Sequence, residues 1–150
     1  MTLMLAGFLA GSALFAAAPN YSDWTPTNGK LKKTFPGLIT VKDGVMTLKG
    51  IPDKEWIMFN YIGVKSEEGK TIRITFKASG KGKVHAGYFG YREKYSLAKS
   101  ESKVLALEEK EKDFKLEFPL IPAVKIVRAR FNIAPGSEIN ISNFKAEIVK

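Results

Sequence analysis

The chain has 150 residues, and its 24 Lys and Arg against 15 Asp and Glu give a net charge of +9 at pH 7. This length predicts one domain with a sizeable core. The absence of cysteine excludes disulfides, thiolate metal sites, a cysteine nucleophile and a lipid-modified cysteine. The lysines are scattered, with no basic arm, zinc-ligand spacing or helix-turn-helix, so the sequence predicts no nucleic-acid partner.

The N-terminus is an apolar segment without charge. Leu3–Ala18 is shorter than the roughly 20 residues that a membrane-spanning helix needs, and it ends in three alanines before Pro19. Such a run is typical of a secretory signal peptide, although no Lys or Arg precedes it here. The alternative is a buried first helix. We interpret residues 1–18 as a signal peptide and 19–150 as the mature domain, and expect a secreted, periplasmic or cell-envelope protein with no membrane span after signal removal.

The first part of the mature chain predicts coil and then a hairpin. Tyr21–Gly37 is rich in turn-forming residues, which favour extended coil with a short first strand. Leu38–Lys42 and Val45–Lys49 flank Asp43-Gly44, a dipeptide that favours a two-residue hairpin turn because both of its residues tolerate positive φ. Trp56–Val64 is almost continuously apolar and predicts a strand buried on both faces.

Strict alternation marks the middle of the chain. In Thr71–Ala78 every second residue is apolar, which predicts a strand with one buried face. A glycine-rich turn at 80–83 leads into Val84–Arg92, where further glycines indicate a bulge or a close backbone approach. Residues 95–107 are consistent with a loop, a short strand or a helical turn. Alternating apolar residues at 114, 116 and 118 predict another strand.

The C-terminal stretch contains two alternating runs separated by Pro135–Ser137. The second run changes its apolar phase between Ile141 and Phe144, which indicates a β-bulge or a strand that crosses between sheets. From the phase of the two clearest strands we expect Phe76 and Phe131 to be buried. About eight or nine short strands with turns at intervals of roughly 8 to 12 residues predict an all-β sandwich or barrel.

Two segments carry a resemblance to a known group. Residues 69–78 read GKTIRITFKA, and residues 139–148 read INISNFKAEI in the closing strand. Together with the DGVMTLKG hairpin, they resemble the galactose-binding-like β-jelly-roll modules, especially the carbohydrate-binding modules that accompany bacterial glycoside hydrolases. The resemblance implies a jelly-roll β-sandwich of two antiparallel sheets and a non-catalytic glycan-binding role.

One departure from that group concerns calcium. Ser142, with Asn143 beside it, stands where these modules often have an acidic residue in the last strand. Calcium prefers carboxylate and carbonyl oxygens, so this change counts against the structural calcium that many of these modules carry. Asp23 and Asn143 are the remaining candidate ligands. The sequence therefore predicts no cofactor.

Glycan binding needs exposed aromatic rings that stack on sugar faces, and polar groups for the hydroxyls. The alternative for each aromatic residue is a place in the core. Tyr91 and Tyr95 are the most favoured, because the charged Arg92–Lys94 between them indicates an exposed loop. The candidate ligand-binding residues are Trp24, Trp56, Arg73, His85, Tyr91, Tyr95, Arg128 and Arg130.

Three of these candidates are arginines on the polar phase of predicted strands: Arg73, Arg128 and Arg130. If their strands are neighbours, they form one cationic patch. Guanidinium groups suit carboxylates and sulfates through paired hydrogen bonds, which favours an acidic polysaccharide as ligand. The alternative is a solvated face in which local glutamates pair with the arginines.

Signatures of catalysis are sparse. His85 is the only histidine and is more consistent with a structural role, and the sequence has no nucleophile elbow or phosphate loop. The acidic residues cluster in turns, so we expect no enzyme activity. Our first hypothesis is an exported, non-catalytic carbohydrate-binding module. The alternatives are a structural or adhesive β-sandwich with a protein partner and, third, a small secreted enzyme. The sequence leaves the oligomeric state open.

Overall fold

The structure, a computed structural model, describes residues 21–66 and 70–150. Its strands form two antiparallel sheets, as expected for a β-sandwich. The elements in chain order are β1 (Trp24–Pro26), α1 (Leu31–Thr34), β2 (Ile39–Lys42), β3 (Val45–Lys49), β4 (Trp56–Asn60), β5 (Val64–Lys65), β6 (Thr71–Lys81), β7 (Lys83–Tyr91), a short 3-10 helix (Glu93–Tyr95), β8 (Leu97–Ala106), β9 (Lys112–Pro119), β10 (Ile126–Ile133) and β11 (Glu138–Val149).

The strand order places β10 and β6 in different sheets. Sheet A has the order β1-β4-β10-β7-β8, and β5 also pairs with β10. Sheet B has the order β2-β3-β11-β6-β9. The alternating residues of both sheets fill the space between them. Each sheet therefore has an outer face that carries the other half of the alternation.

The core contains a cluster of aromatic rings. Phe76 from sheet B and Phe131 from sheet A are both buried, which confirms their prediction. Their ring centroids lie 5.3 Å apart in a T-shaped contact, and Phe144 and Trp24 pack against Phe131. Edge-to-face packing of this kind adds to the free energy gained from area burial alone. This cluster holds the two sheets together.

Two local features predicted from sequence are present. The β2–β3 turn has φ of 52° at Asp43 and 79° at Gly44, and Lys42 pairs with Val45, as a two-residue hairpin requires. In β11 the register with β6 shifts between Ser142 and Lys145. The phase change is therefore a bulge, and it keeps the apolar residues on both sides of it directed toward the core.

Three segments differ from expectation. Trp56–Val64 is not one buried strand: β4 ends at Asn60, whose side-chain oxygen accepts a hydrogen bond from the Gly63 amide and closes a turn. Residues 97–106 form an edge strand of sheet A, which resolves the ambiguity at 95–107. The coil predicted for Tyr21–Gly37 also contains one helical turn, α1.

The predicted signal peptide, residues 1–18, lies outside the described residues. Within the residues that the structure describes, none of the helices is both long and apolar enough to span a bilayer.

Candidate functional site

The outer face of sheet A carries a set of aromatic and arginine side chains. Arg128 and Arg130 alternate with buried residues on β10, so both point away from the core. Their Cα partners on β7 are Phe89 and Gly87, and Arg130 also pairs with Phe59 on β4. We call this set the aromatic–arginine face; it consists of Phe59, Tyr61, Phe89, Tyr91, Tyr95, Arg128 and Arg130.

Arg128 lies at the centre of this face, surrounded by rings. Its guanidinium carbon is 4.7 Å from the ring centroid of Tyr95, 4.8 Å from that of Tyr61 and 5.0 Å from that of Tyr91. The ring of Phe59 follows at 5.7 Å. Each separation is within the roughly 6 Å at which a cation and an aromatic face attract each other. Arg128 is thus held by ring faces.

Arg128 forms no side-chain hydrogen bond or ion pair with another residue of the part of the chain that the structure describes. Its Nε atom is buried and has no hydrogen-bond partner, and no ion pair among residues 21–66 and 70–150 includes this side chain. A buried donor without a partner costs about 1–3 kcal/mol. The fold therefore retains, at a cost, a cation for which no described residue supplies an acceptor.

A cleft opens directly at Arg128. Tyr61, Ile62 and Tyr95 line it with the arginine, and its volume is about 480 Å³. Tyr61 is 59% exposed and Tyr95 is 56% exposed, so both rings combine a contact to Arg128 with a large solvent-accessible surface. Two exposed rings beside a cation form a concave site for a ligand with both apolar and anionic groups.

Tyr95 lies in the loop between β7 and β8, where the backbone is strained. Lys94 and Tyr95 have φ of 63° and 61°, a left-handed conformation that side-chain-bearing residues adopt only at a cost. The loop is closed because the Arg92 amide donates to the Ser96 carbonyl at 2.8 Å and the Arg92 guanidinium donates to the Leu97 carbonyl at 2.9 Å. Strain of this kind often accompanies a binding function.

Arg130 is fixed by the protein. Its side chain donates to the carbonyl oxygen of Tyr88 at 3.4 Å, to Ser100 Oγ at 3.2 Å and to Asn132 Oδ1, and it lies 4.8 Å from the ring centroid of Phe89. Burial lowers the pKa of its guanidinium, and Glu55 opposes that shift. Arg130 is therefore a positioned cation under the face, whereas Arg128 is open to the cleft.

His85 lies on the same face at its far end. It is half-buried on β7, opposite Asn132 on β10 and Val104 on β8. The Asn132 side-chain amide donates to Glu55 Oε1 at 2.9 Å. The structure thus brings together His85, Tyr91, Tyr95, Arg128 and Arg130 of the predicted site residues.

The two tryptophans do not belong to this surface. Trp24 is 3% exposed and packs between Phe131 and Phe144. Trp56 is 4% exposed, and its Nε1 donates to the Lys49 carbonyl at 2.8 Å. Both indoles point into the core because their positions fall on the inner phase of β1 and β4. Their prediction as exposed ligand-binding rings is therefore wrong, and the alternative of a place in the core holds for both.

Arg73 is also separate from the other arginines. It lies on β6, on the outer face of sheet B, at the opposite side of the sandwich. Its Nε is 3.5 Å from a carboxylate oxygen of Glu117, and its Nη1 is 3.9 Å from one of Glu147. A single patch of three arginines is therefore wrong, and the alternative of local pairing with glutamates holds for Arg73.

Sequence reasoning missed Phe59, Tyr61 and Phe89 as members of the face. Tyr61 lies within the apolar run Trp56–Val64, which was predicted to be one buried strand. The spacing of Asn60 and Gly63 was the available signal, since an Asn followed by Gly three residues later is compatible with a side-chain-capped turn.

Glycine has a specific role beside Arg130. A Cβ at Gly87 would lie 1.9 Å from the carbonyl oxygen of Glu101 on β8. Only glycine permits this approach of the two backbones, as the glycine pattern of β7 indicated.

Metal ligands are not grouped in the described chain. No three His, Asp or Glu side chains in residues 21–66 and 70–150 are close enough together to hold a metal ion.

Comparison with known proteins gives matches by structure. No family model and no curated protein matches the chain. A mutant of a family 29 carbohydrate-binding module superposes with a TM-score of 0.58, over 88% of this chain and 85% of its own, at 14% identity. A family 4 carbohydrate-binding module gives a TM-score of 0.56, over 87% and 92%, at 12% identity. The chain shares the fold of carbohydrate-binding modules.

This result confirms the resemblance noted in the sequence at the level of the fold. A further match is the enzymatically active domain of tailspike protein 4 of bacteriophage CBA120, with a TM-score of 0.61 over 87% of this chain at 14% identity. The chain spans 20% of that tailspike domain, so the match covers one part of it. Another family 29 mutant, with a TM-score of 0.57 and 14% identity, was solved in complex with cellulohexaose.

Proposed function

We propose that the chain is an exported, non-catalytic carbohydrate-binding module that binds an acidic polysaccharide on its aromatic–arginine face. The observation that carries this proposal is the cleft in which an unpaired Arg128 lies between two exposed tyrosines. The shared fold with carbohydrate-binding modules supports it.

The chemistry of the cleft matches an acidic sugar. The exposed surfaces of Tyr61 and Tyr95 offer apolar contact to the C–H face of a pyranose ring. The Arg128 guanidinium lines the cleft and suits a carboxylate or sulfate, because such a group can accept paired hydrogen bonds from one arginine. The net charge of +9 increases the rate at which the protein meets a polyanion.

Polar side chains next to the face extend the proposed binding surface along the sheet. Asn132, Ser100 and His85 lie along neighbouring strands beside the aromatic rings. From Arg128 to Asn132 the face extends four residues along β10, about 13 Å at the usual rise of a strand. This length accommodates more than one sugar ring, so we expect a chain-like ligand.

The experiment is a glycan array followed by titration calorimetry with oligogalacturonate and with a neutral cello-oligosaccharide of equal length. We expect binding to the uronate oligomer that weakens as salt rises, because screening reduces attraction between exposed charges. Equal affinity for both oligomers would contradict the acidic ligand class but leave a glycan-binding module. No binding to any glycan would contradict the proposed function.

The alternative of a protein partner is favoured by one observation. Ile62 and Leu97, near the two tyrosines, are also more than half exposed. A protein partner would bury these aliphatic side chains, whereas a glycan stacks on the rings. A doubly substituted Ile62→Ser, Leu97→Ser chain that retains glycan affinity would favour the glycan.

Export is part of the proposal and has its own test. N-terminal sequencing of protein from the native host is expected to find a chain that begins at or near Pro19. Recovery of soluble cytoplasmic protein with Met1 retained would contradict it.

A further inference from the structure

Two further clefts lie beside α1. The ring of Phe35, which is 36% exposed, lines both of them. One has a volume of about 280 Å³ and lies between α1 and the loop that precedes β4. The other has a volume of about 300 Å³ and lies between the end of α1 and β2. None of the described residues that line these clefts also lines the cleft at Arg128.

Lysines supply most of the charge in these clefts. Lys30 and Lys54 line the first cleft together with Asp53, and Lys32 lines the second. Within the described residues, Asp53 is the only carboxylate on either cleft, and none of the three lysines forms an ion pair. Unpaired cations around an accessible ring repeat the chemistry of the aromatic–arginine face on a different part of the surface.

We propose that these clefts form a second binding site for an acidic glycan. The ring of Phe35 stacks on a sugar, and Lys30, Lys32 and Lys54 attract the carboxylate or sulfate groups of the sugars on either side. A lysine is a compact charge on a flexible stem, so this site tolerates more varied anion positions than the planar Arg128 does.

The shape of the surface favours a glycan over a membrane. Lipid surfaces bind amphipathic segments that expose a broad apolar face between basic residues. Here the ring of Phe35 stands between two concavities, which fit groups that project from a polymer. The ligand class rests on the proposed function, whereas the location of the second site does not.

Two sites on one chain give a specific binding behaviour. A long polymer that reaches both sites binds more tightly than a short oligomer, because its second contact forms at a high effective concentration. We therefore expect polygalacturonate to bind more tightly than hexagalacturonate, and this difference to disappear when either site is removed.

The test is a two-dimensional amide NMR titration of the purified chain with hexagalacturonate. We expect shifts at residues 30–35 and 53–54 that saturate with their own dissociation constant. A Phe35→Ala, Lys54→Ala variant is expected to weaken this set about tenfold or more, in line with the loss of a charged hydrogen bond and a stacking contact. Lys42→Ala is the matched control, since Lys42 is exposed on β2 and lines neither cleft.

Several outcomes would overturn the second site. The first is the absence of shifts around Phe35. The second is an unchanged affinity in a Lys54→Glu variant, in which an exposed side chain is replaced without altering the core. The third is the loss of this set of shifts in an Arg128→Ala variant. Binding of the region to phosphatidylglycerol vesicles without any response to hexagalacturonate would assign it to a membrane. Shifts at Phe35 without shifts at Tyr61 and Tyr95 would contradict the first site and leave the second one supported.

Discussion

Arg73 and Arg128 lie on the two outer faces of the sandwich and have opposite surroundings. On sheet B, Arg73 lies between Glu117 and Glu147, and Lys77 lies 3.7 Å from a carboxylate oxygen of Asp113. On sheet A, Arg128 contacts aromatic rings and no ion pair of the described chain includes it. An outward-pointing arginine is thus neutralised by carboxylates on sheet B, whereas on sheet A it lies among aromatic rings without a neutralising carboxylate.

The comparison contrasts a face of paired charges with the face on which we propose the binding site. Exposed ion pairs contribute about 0–1 kcal/mol each, so the ion pairs of the sheet B face add little to the stability of the fold. A buried Nε without a hydrogen-bond partner occurs in both Arg73 and Arg128, so the difference between the faces lies in the surroundings of the two guanidiniums, carboxylates on sheet B and aromatic rings on sheet A.

The largest expected effect lies beneath both faces. Phe131→Ala removes the buried ring that packs against Trp24, Phe76 and Phe144, and we expect a loss of about 3–5 kcal/mol in the free energy of unfolding. Urea denaturation measures it, with the exposed Val41→Ala as control. A loss below about 1 kcal/mol would show that the two faces do not depend on a common core.

The next effect concerns the ring contacts of the sheet A face. Tyr95→Ala removes one of the two exposed rings at Arg128, and we expect glycan affinity to fall about tenfold, roughly 1.4 kcal/mol, while the unfolding midpoint stays nearly unchanged. Tyr95→Phe keeps the ring and is expected to retain most of the affinity. Equal affinity of Tyr95→Ala and the parent chain would place the ligand elsewhere.

A buried tyrosine makes the sheet A side sensitive to alkali. Tyr88 donates to Glu101 Oε2 at 3.0 Å, and burial, together with that carboxylate, raises the pKa of its hydroxyl well above the ordinary value of 10.0. Because the raised pKa favours the neutral form in the fold, this stabilisation is complete below pH 10 and is lost as the pH rises above it. We expect Tyr88→Phe to cost about 1–3 kcal/mol at pH 7 and to flatten the alkaline decline in stability. A decline of unchanged slope would contradict this assignment.

The smallest expected effect concerns Glu117 on sheet B. Its contribution to stability is lost at acid pH, whereas that of Tyr88 is lost at alkaline pH. The hydrogen bond from Lys115 lowers the pKa of the Glu117 carboxyl, and Arg73 adds to the shift. A lowered pKa stabilises the fold above the ordinary value of 4.5, and this contribution is lost as the pH falls through the folded value. Glu117→Gln is expected to reduce the acid dependence of the unfolding midpoint slightly and to leave glycan binding unchanged. A change in the glycan affinity of Glu117→Gln would contradict the expectation that the sheet B face takes no part in binding.

The sequence predicted the fold where the physical signal is local. Alternation in β6 and β10 identified the buried residues, and Asp43-Gly44 identified the hairpin. The phase change in β11 indicated an irregularity, either a bulge or a crossing between sheets, and the structure shows the bulge. Each of these predictions depends on the periodicity or turn chemistry of a few adjacent residues. Pairing between strands distant in the chain has no such signal.

The site was predictable only in part for that reason. Alternation shows that Arg73, Arg128 and Arg130 point outward, but it does not show which sheet each strand joins, and the sheets separate Arg73 from the other two. Burial of Trp24 and Trp56 depends on the same long-range pairing. Lys94 and Tyr95 adopt positive φ, although neither is a glycine or asparagine, the residues that usually indicate this conformation. The exposed position of the Tyr95 ring could therefore be found only from the structure.

The central claim is that Arg128 of sheet A binds an anionic ligand, whereas Arg73 of sheet B does not. Titration calorimetry with oligogalacturonate at low and moderate salt tests it in Arg128→Ala and Arg73→Ala, with Arg128→Lys to separate charge from planar geometry. We expect Arg128→Ala to lose about tenfold or more in affinity and most of the salt dependence, Arg128→Lys to recover part of it, and Arg73→Ala to match the parent chain. Equal affinity of Arg128→Ala and the parent chain, or an equal loss in Arg73→Ala, would contradict the account.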